Sequence, residues 1–88
     1  MFKRTDNNQK EIVDALRKAG ASVQSLASQG HGTPDILCGF RKNNYLFEVK
    51  NENGKLTEDE RLWHLNWNGE VHIIRTPEEA LKIIGAIR

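Results

Sequence analysis

Gly32-Thr33-Pro34-Asp35-Ile36-Leu37-Cys38-Gly39-Phe40, a polar break at Arg41-Lys42-Asn43-Asn44, and then Tyr45-Leu46-Phe47-Glu48-Val49-Lys50 form the stretch on which this chain turns. Two apolar runs joined by a short polar link read as a β-hairpin, with strands over 34–40 and 45–50. Side chains two apart on a strand share a face, so Glu48 and Lys50 point one way while Phe47 and Val49 point the other, into apolar packing. A strand that carries Glu and Lys amid buried neighbours is disfavoured unless something compensates the charges. A salt bridge would do this. A divalent cation would do it more fully, with Asp35 brought alongside by the hairpin.

Outward from the hairpin, Asp6 or Asn7 caps a helix that runs to Lys18, with Ile12, Val13, Leu16 and Ala19 on one face. Gly20 stands where that helix stops, after Arg17 and Lys18 in its last turn. A short strand follows over 21–26, with Val23 its best β-former, and then a glycine-containing loop over 28–33. On the C-terminal side, Thr57 caps a second helix and Glu60, three residues on, completes a capping box. Leu62, Trp63 and Trp67 form its apolar side, and Gly69 ends the segment. A last strand spans 71–75. Pro77 then opens a final helix with Ala80, Leu81, Ile83, Ile84 and Ile87 facing inward. The order α-β-β-β-α-β-α is that of an α/β domain with a mixed sheet of about four strands flanked by helices, provided that the strand over 71–75 joins the same sheet.

Eighty-eight residues leave room for one domain, 1–88, with a small core that self-association would help. The net charge of +1 separates no class of partner, because catalytic carboxylates cancel lysines and arginines in a metal-dependent nuclease. Cys38 is the only cysteine, which excludes an intrachain disulfide and a thiolate metal site and leaves a small buried residue. No run approaches the roughly 18 apolar residues of a membrane span, and the N-terminus lacks the apolar stretch of a signal peptide. A soluble, cytoplasmic protein without a membrane partner or an organic cofactor is therefore expected.

Hydrolysis of a phosphodiester requires charge neutralisation at the phosphoryl oxygens and a deprotonated water in line. Mg²⁺ takes oxygen ligands and is usually held by one or two carboxylates while it keeps several waters. Asp35, Glu48 and the backbone carbonyl of Val49 meet that demand. Such a metal polarises the phosphate and acidifies its bound water. A lysine beside it, here Lys50, orients or deprotonates that water if its own pKa falls on burial and near positive charge.

Gly32-Thr33-Pro34-Asp35, followed thirteen positions after the aspartate by Glu48-Val49-Lys50, resembles the signature of the PD-(D/E)XK nuclease superfamily. Within it the chain resembles the virus-type replication-repair nuclease (VRR-NUC) family in its minimal, stand-alone, phage-like form. Supporting features are Asn8-Gln9, Glu11-Ile12-Val13, Ala15-Leu16-Arg17, Gly20-Ala21-Ser22-Val23, Lys55-Leu56-Thr57, Trp63-His64, Trp67, Gly69 and Pro77-Glu78-Glu79-Ala80-Leu81. The resemblance spans about 5–84 and implies a restriction-endonuclease-like αβββαβ core with a C-terminal helix added. It implies Asp35 and Glu48 as metal ligands and Lys50 as the water-activating or phosphate-contacting residue. It also implies Mg²⁺, with Mn²⁺ as a substitute, and cleavage of DNA, often structured or branched. Minimal members of the family form homodimers. The family often adds a polar or acidic residue from the first helix, for which Glu11 is the candidate, with Asn8 and Gln9 behind it. Where the family carries a glutamine near the start of the second helix, this chain has Glu60, whose role is then either at the site or only in the capping box.

Other residues admit two readings each. Glu11 is a metal ligand or a helix-dipole partner. His31, between Gly30 and Gly32, contacts phosphate or lies exposed in its loop. His64 and His72 read as structural or surface residues. Trp63 and Trp67, four apart, pack in a core or dimer interface, or stack on bases. Arg41, Lys42, Lys55 and Arg61 line a phosphate path or are scattered surface charges. The leading function is an endonuclease acting on phage or prophage DNA, in a bacterial host cell, during replication, recombination or repair. The alternatives are a catalytically silent nucleic-acid-binding module that retains the nuclease fold, and a metal-dependent phosphatase of small molecules. Intact Asp35, Glu48 and Lys50 speak against the first, and the lack of a nucleotide-cradling glycine-rich loop against the second.

Overall fold

The computed structural model describes residues 7–88. The chain runs α1 (Asn7–Lys18), β1 (Ser22–Ser25), a single 3-10 turn (Ala27–Gln29), β2 (Ile36–Phe40), β3 (Asn43–Val49), α2 (Glu58–Asn66), β4 (His72–Ile74) and α3 (Pro77–Ile84). The four strands form one sheet in the order β1-β2-β3-β4. β1 and β2 pair antiparallel, as do β2 and β3, whereas β3 and β4 pair parallel. Parallel neighbours need a crossover connection, and α2 lies within it. This is the expected α/β architecture with a mixed sheet, helices beside it and a further helix at the C-terminus. Among the described residues, no helix is long and apolar enough to cross a membrane.

The hairpin is tighter than expected. β3 begins at Asn43, which leaves Arg41 and Lys42 as a two-residue turn, both with positive φ (50° and 71°). Two left-handed residues are what a type I′ hairpin demands, because they match the twist of the flanking strands. The register pairs Ile36 with Phe47. One step further, the Asp35 amide donates to the Phe47 carbonyl (3.0 Å), so Asp35 stands opposite Glu48.

Ile12 and Leu16 of α1 and Ala80 and Ile84 of α3 close one face of the sheet over Ile36, Cys38, Phe47, Val49 and Ile74. Burial raises the pKa of the Cys38 thiol and keeps it neutral in that core. Asn8 fastens α1 to the ends of two strands, its amide nitrogen donating to the carbonyls of Lys50 (2.8 Å) and Arg75 (3.0 Å). The expected caps of the two later helices are present. Thr57 and Glu60 form the full capping box of α2, and Thr76 accepts from the Glu79 amide with Pro77 in the first turn of α3.

Four expectations of the periodicity are corrected. Ala19 is exposed, because the chain turns at Gly20 before its face meets the sheet. Ile87 is exposed, because Gly85 ends α3 in a left-handed cap and takes the following residues off the helical path. Leu62 and Trp67 are exposed as well, since α2 ends at Asn66 and turns a polar stripe, not its apolar one, toward the sheet. The Asp6 alternative for the cap of α1 lies outside the described residues, and Asn7 is the first residue of the helix.

Candidate active site

The second face of the sheet is where α2 lies, and Glu48 is directed toward it. Its neighbours Phe47 and Val49 are buried in the apolar core, and Glu48 itself is only 1% exposed. Asp35, held by strand pairing at the start of β2, accepts a hydrogen bond at Oδ2 from the Val49 amide (2.7 Å). The carboxyls of Asp35 and Glu48 also share a hydrogen bond. Burial, then that hydrogen bond and the charge of Asp35, then the charge of Glu60, push the Glu48 pKa up to about 9; only Lys50 opposes them. The two carboxyls thus stand side by side, with Glu48 protonated. They line, with Val49, Lys50, Gln9 and Glu60, a cavity of about 470 Å³.

Lys50 reaches the same cavity and is tightly held. Its Nζ donates to Glu60 Oε1 at 2.6 Å and lies 3.9 Å from Glu48 Oε2. The same Glu60 oxygen accepts from the Thr57 amide (2.8 Å), so the capping acid of α2 also anchors the lysine. Burial alone would lower the Lys50 pKa, but the Glu60 hydrogen bond and the charges of Glu60, Glu48 and Asp35 outweigh it and raise the pKa. In the metal-free site Lys50 is thus held as an ammonium among these carboxyls.

His64, four residues beyond Glu60 on α2, faces the back of Glu48. Its Nε2 lies 3.5 Å from Glu48 Oε1, and both atoms are buried without a hydrogen-bond partner. Burial lowers the His64 pKa and favours the neutral ring, with the Glu60 and Lys50 charges acting in opposite directions. No group of three or more His, Cys, Asp or Glu side chains is placed to hold a metal among the described residues. Two carboxylates with open water positions are nevertheless a donor set that suits Mg²⁺. A cation there would take the place of the proton that Glu48 carries beside Asp35. The donors fit a hard divalent ion.

Comparison with protein-family models, curated proteins and solved structures returned no match. The functional reading therefore rests on this geometry and on the sequence resemblance.

The remaining candidates divide. His31 lines the cavity from the 30–33 loop, whose Gly30, His31 and Gly32 all have positive φ. That loop packs so closely on α2 that a Cβ on Gly32 would lie 2.3 Å from the Asp59 carbonyl oxygen. Glu11 is exposed on α1 and does not line the cavity, whereas its neighbour Gln9 does. Arg41 and Lys42 occupy the hairpin turn at the far end of the strands, about 20 Å from Asp35 at 3.3 Å per residue. Arg41 leans on the Phe40 ring and donates to the Gly85 carbonyl. Arg61 pairs with Glu58 on the exposed side of α2, and Lys55 is exposed in the loop before it; neither lines the cavity. Of the two α2 residues that touch the site, Glu60 had been read as belonging either there or only to the capping box, and His64 as structural or surface. Their signal was the spacing of four between Glu60 and His64, which puts both on one helical face.

Proposed function

We propose that this chain is a divalent-metal-dependent DNA endonuclease in which Asp35 and Glu48 hold the metal and Lys50 stands beside the reacting phosphate. One observation carries the reading: the Asp35 and Glu48 carboxyls line one cavity, and Glu48 is almost wholly buried with an oxygen that no hydrogen bond satisfies. A structural role would be served better by an amide or an apolar residue, because burying a carboxyl is disfavoured unless it is paired. When bound, Mg²⁺ or Mn²⁺ supplies charge neutralisation at the phosphoryl oxygens and a more acidic water. The chain's own residues do the rest. Asp35 is fixed by the Val49 amide, so its second oxygen keeps its direction, and the Val49 carbonyl is a further candidate ligand. Lys50, held as an ammonium by Glu60, donates to a phosphoryl oxygen or orients the attacking water. His31 contributes from the mouth of the cavity.

The resemblance adds branched or otherwise structured DNA as substrate, a junction or a flap, in phage replication, recombination or repair within a bacterial cytoplasm. One site in a chain this size cuts one strand. A two-strand cut then calls for a two-fold homodimer.

The test is cleavage of labelled four-way junction, flap and linear duplex with Mg²⁺, Mn²⁺ or EDTA, alongside Asp35→Asn and Lys50→Ala. Metal-dependent cleavage lost in both variants is the expected result. Binding of DNA without cleavage by the wild type would replace the nuclease with the catalytically silent binding module.

A further inference from the structure

The two tryptophans of the chain stack on one another outside the hydrophobic core. The Trp63 and Trp67 rings are 4.6 Å apart at 20°, and Trp67 is 47% exposed. Gly69 helps to hold that ring, since a Cβ there would lie 2.9 Å from Trp67 Nε1. A flat, exposed and fixed aromatic surface is a stacking platform.

Its position makes it informative. His31, Asp59, Leu62, Trp63, Asn66 and Trp67 line a pocket of about 350 Å³. His31 and Asp59 also line the cavity of the carboxyl pair, so the two spaces share a wall. On the other side the indoles border a groove of about 660 Å³ over Leu37 and Leu46. That groove shares Leu26 and Thr33 with the carboxyl cavity. The platform therefore adjoins the site on both flanks of the 26–33 segment.

Charge limits what enters. Asp59 and Glu70 are the acidic side chains lining the pocket and the groove, and neither space is lined by lysine or arginine. A phosphate is repelled there, whereas a neutral flat ring is not. Asn66 and Asp59 beside the indoles offer amide and carboxylate partners to the polar edge of such a ring. A second copy of the chain fits less well, because a two-fold contact through this patch would set the same carboxylates against one another.

We propose that the Trp63–Trp67 pair is a subsite for an unpaired nucleobase of the strand whose phosphate lies at Asp35 and Glu48. The inference rests on the nuclease reading for the identity of that strand. A base inside a duplex has both faces stacked and is not offered to the indoles, so the subsite selects DNA with unpaired nucleotides next to the cut.

The experiment uses the full chain in EDTA, where no cleavage intervenes, and follows the fluorescence of its two tryptophans. A short single-stranded oligonucleotide, the same strand made abasic, and a blunt duplex are titrated in turn. The expected result is quenching by the single strand alone. Trp67→Ala, its folding checked by circular dichroism, should bind that strand roughly ten- to a hundredfold more weakly, and Trp67→Phe should retain most of the affinity. Equal quenching by the abasic strand, or unchanged binding by Trp67→Ala, overturns the proposal. So does sedimentation showing that Trp67→Ala turns a dimer into a monomer, which would make the patch a contact between copies. Metal-dependent cleavage is scored separately: cleavage without base-dependent quenching removes only the subsite. Quenching without cleavage removes the nuclease reading and leaves the subsite to a binding module.

Discussion

Phe47 and Glu48 are adjacent on one strand and equally buried, yet they face opposite worlds. Phe47 enters a face closed by α1 and α3, in the apolar core with Ile12, Leu16, Ile36 and Ile74. Glu48 enters the face on which α2 lies, among Asp35, Lys50, Glu60 and His64. Burial stabilises the first residue and destabilises the charged form of the second. In a domain with one sheet, the closed face supplies the stability that lets the other hold groups which do not stabilise it.

The largest test of that contrast is Phe47→Ala. Removing a fully buried aromatic lowers stability by about 3–5 kcal/mol, comparable with the whole stability of a domain this small. Urea unfolding should show a variant barely folded or unfolded in buffer; a loss below about 1 kcal/mol would mean that the closed face does not carry the fold.

Glu48→Gln should act in the opposite sense. Below pH 4.5 Glu48 is protonated in both folded and unfolded chains and adds no pH dependence. As pH rises toward about 9, the unfolded carboxyl ionises while the folded one keeps its proton, so the metal-free wild type loses stability. For one proton the slope is at most about 1.4 kcal/mol per pH unit. In EDTA the glutamine variant should match the wild type near pH 4.5 and become the more stable of the two toward pH 9. Parallel stability curves would show that Glu48 ionises normally.

Thr57→Ala has the smallest expected effect. Loss of the cap hydroxyl lowers stability by about 1 kcal/mol, which in a domain of this size is roughly 4–8 °C in Tm. Thr57→Ser should restore it. Equal melting of all three would indicate that the first turn of α2 holds without its box.

The closed face was the easier to read in the sequence. Ile12 and Leu16 at helical spacing, Phe47 and Val49 at strand spacing, and Pro77 after Thr76 each carry a local signal of where they point. The hairpin was legible too, but its register was not: a link over 41–44 would set Asp35 opposite Lys50, whereas the two-residue turn at Arg41 and Lys42 shifts the pairing by two. Ala19 and Ile87 fall outside the core because their helices end sooner than apolar spacing suggests. The open face depends on how α2 docks, and that helix offers two stripes four apart, Glu60 with His64 and Trp63 with Trp67. Hydrophobicity favours the second as the buried one. The structure turns the first toward the sheet, where Lys50 and Glu48 are their partners.

One oxygen atom of Glu60 receives both the Thr57 amide and the Lys50 ammonium. The start of a helix and the charge state of the site thereby draw on a single acceptor. A phosphate that drew Lys50 away would take one partner from that oxygen, while fraying of the first turn would leave the lysine with a wandering counter-ion. The order of the first turn of α2 and the placing of the Lys50 ammonium are, in this chain, two readings of one contact.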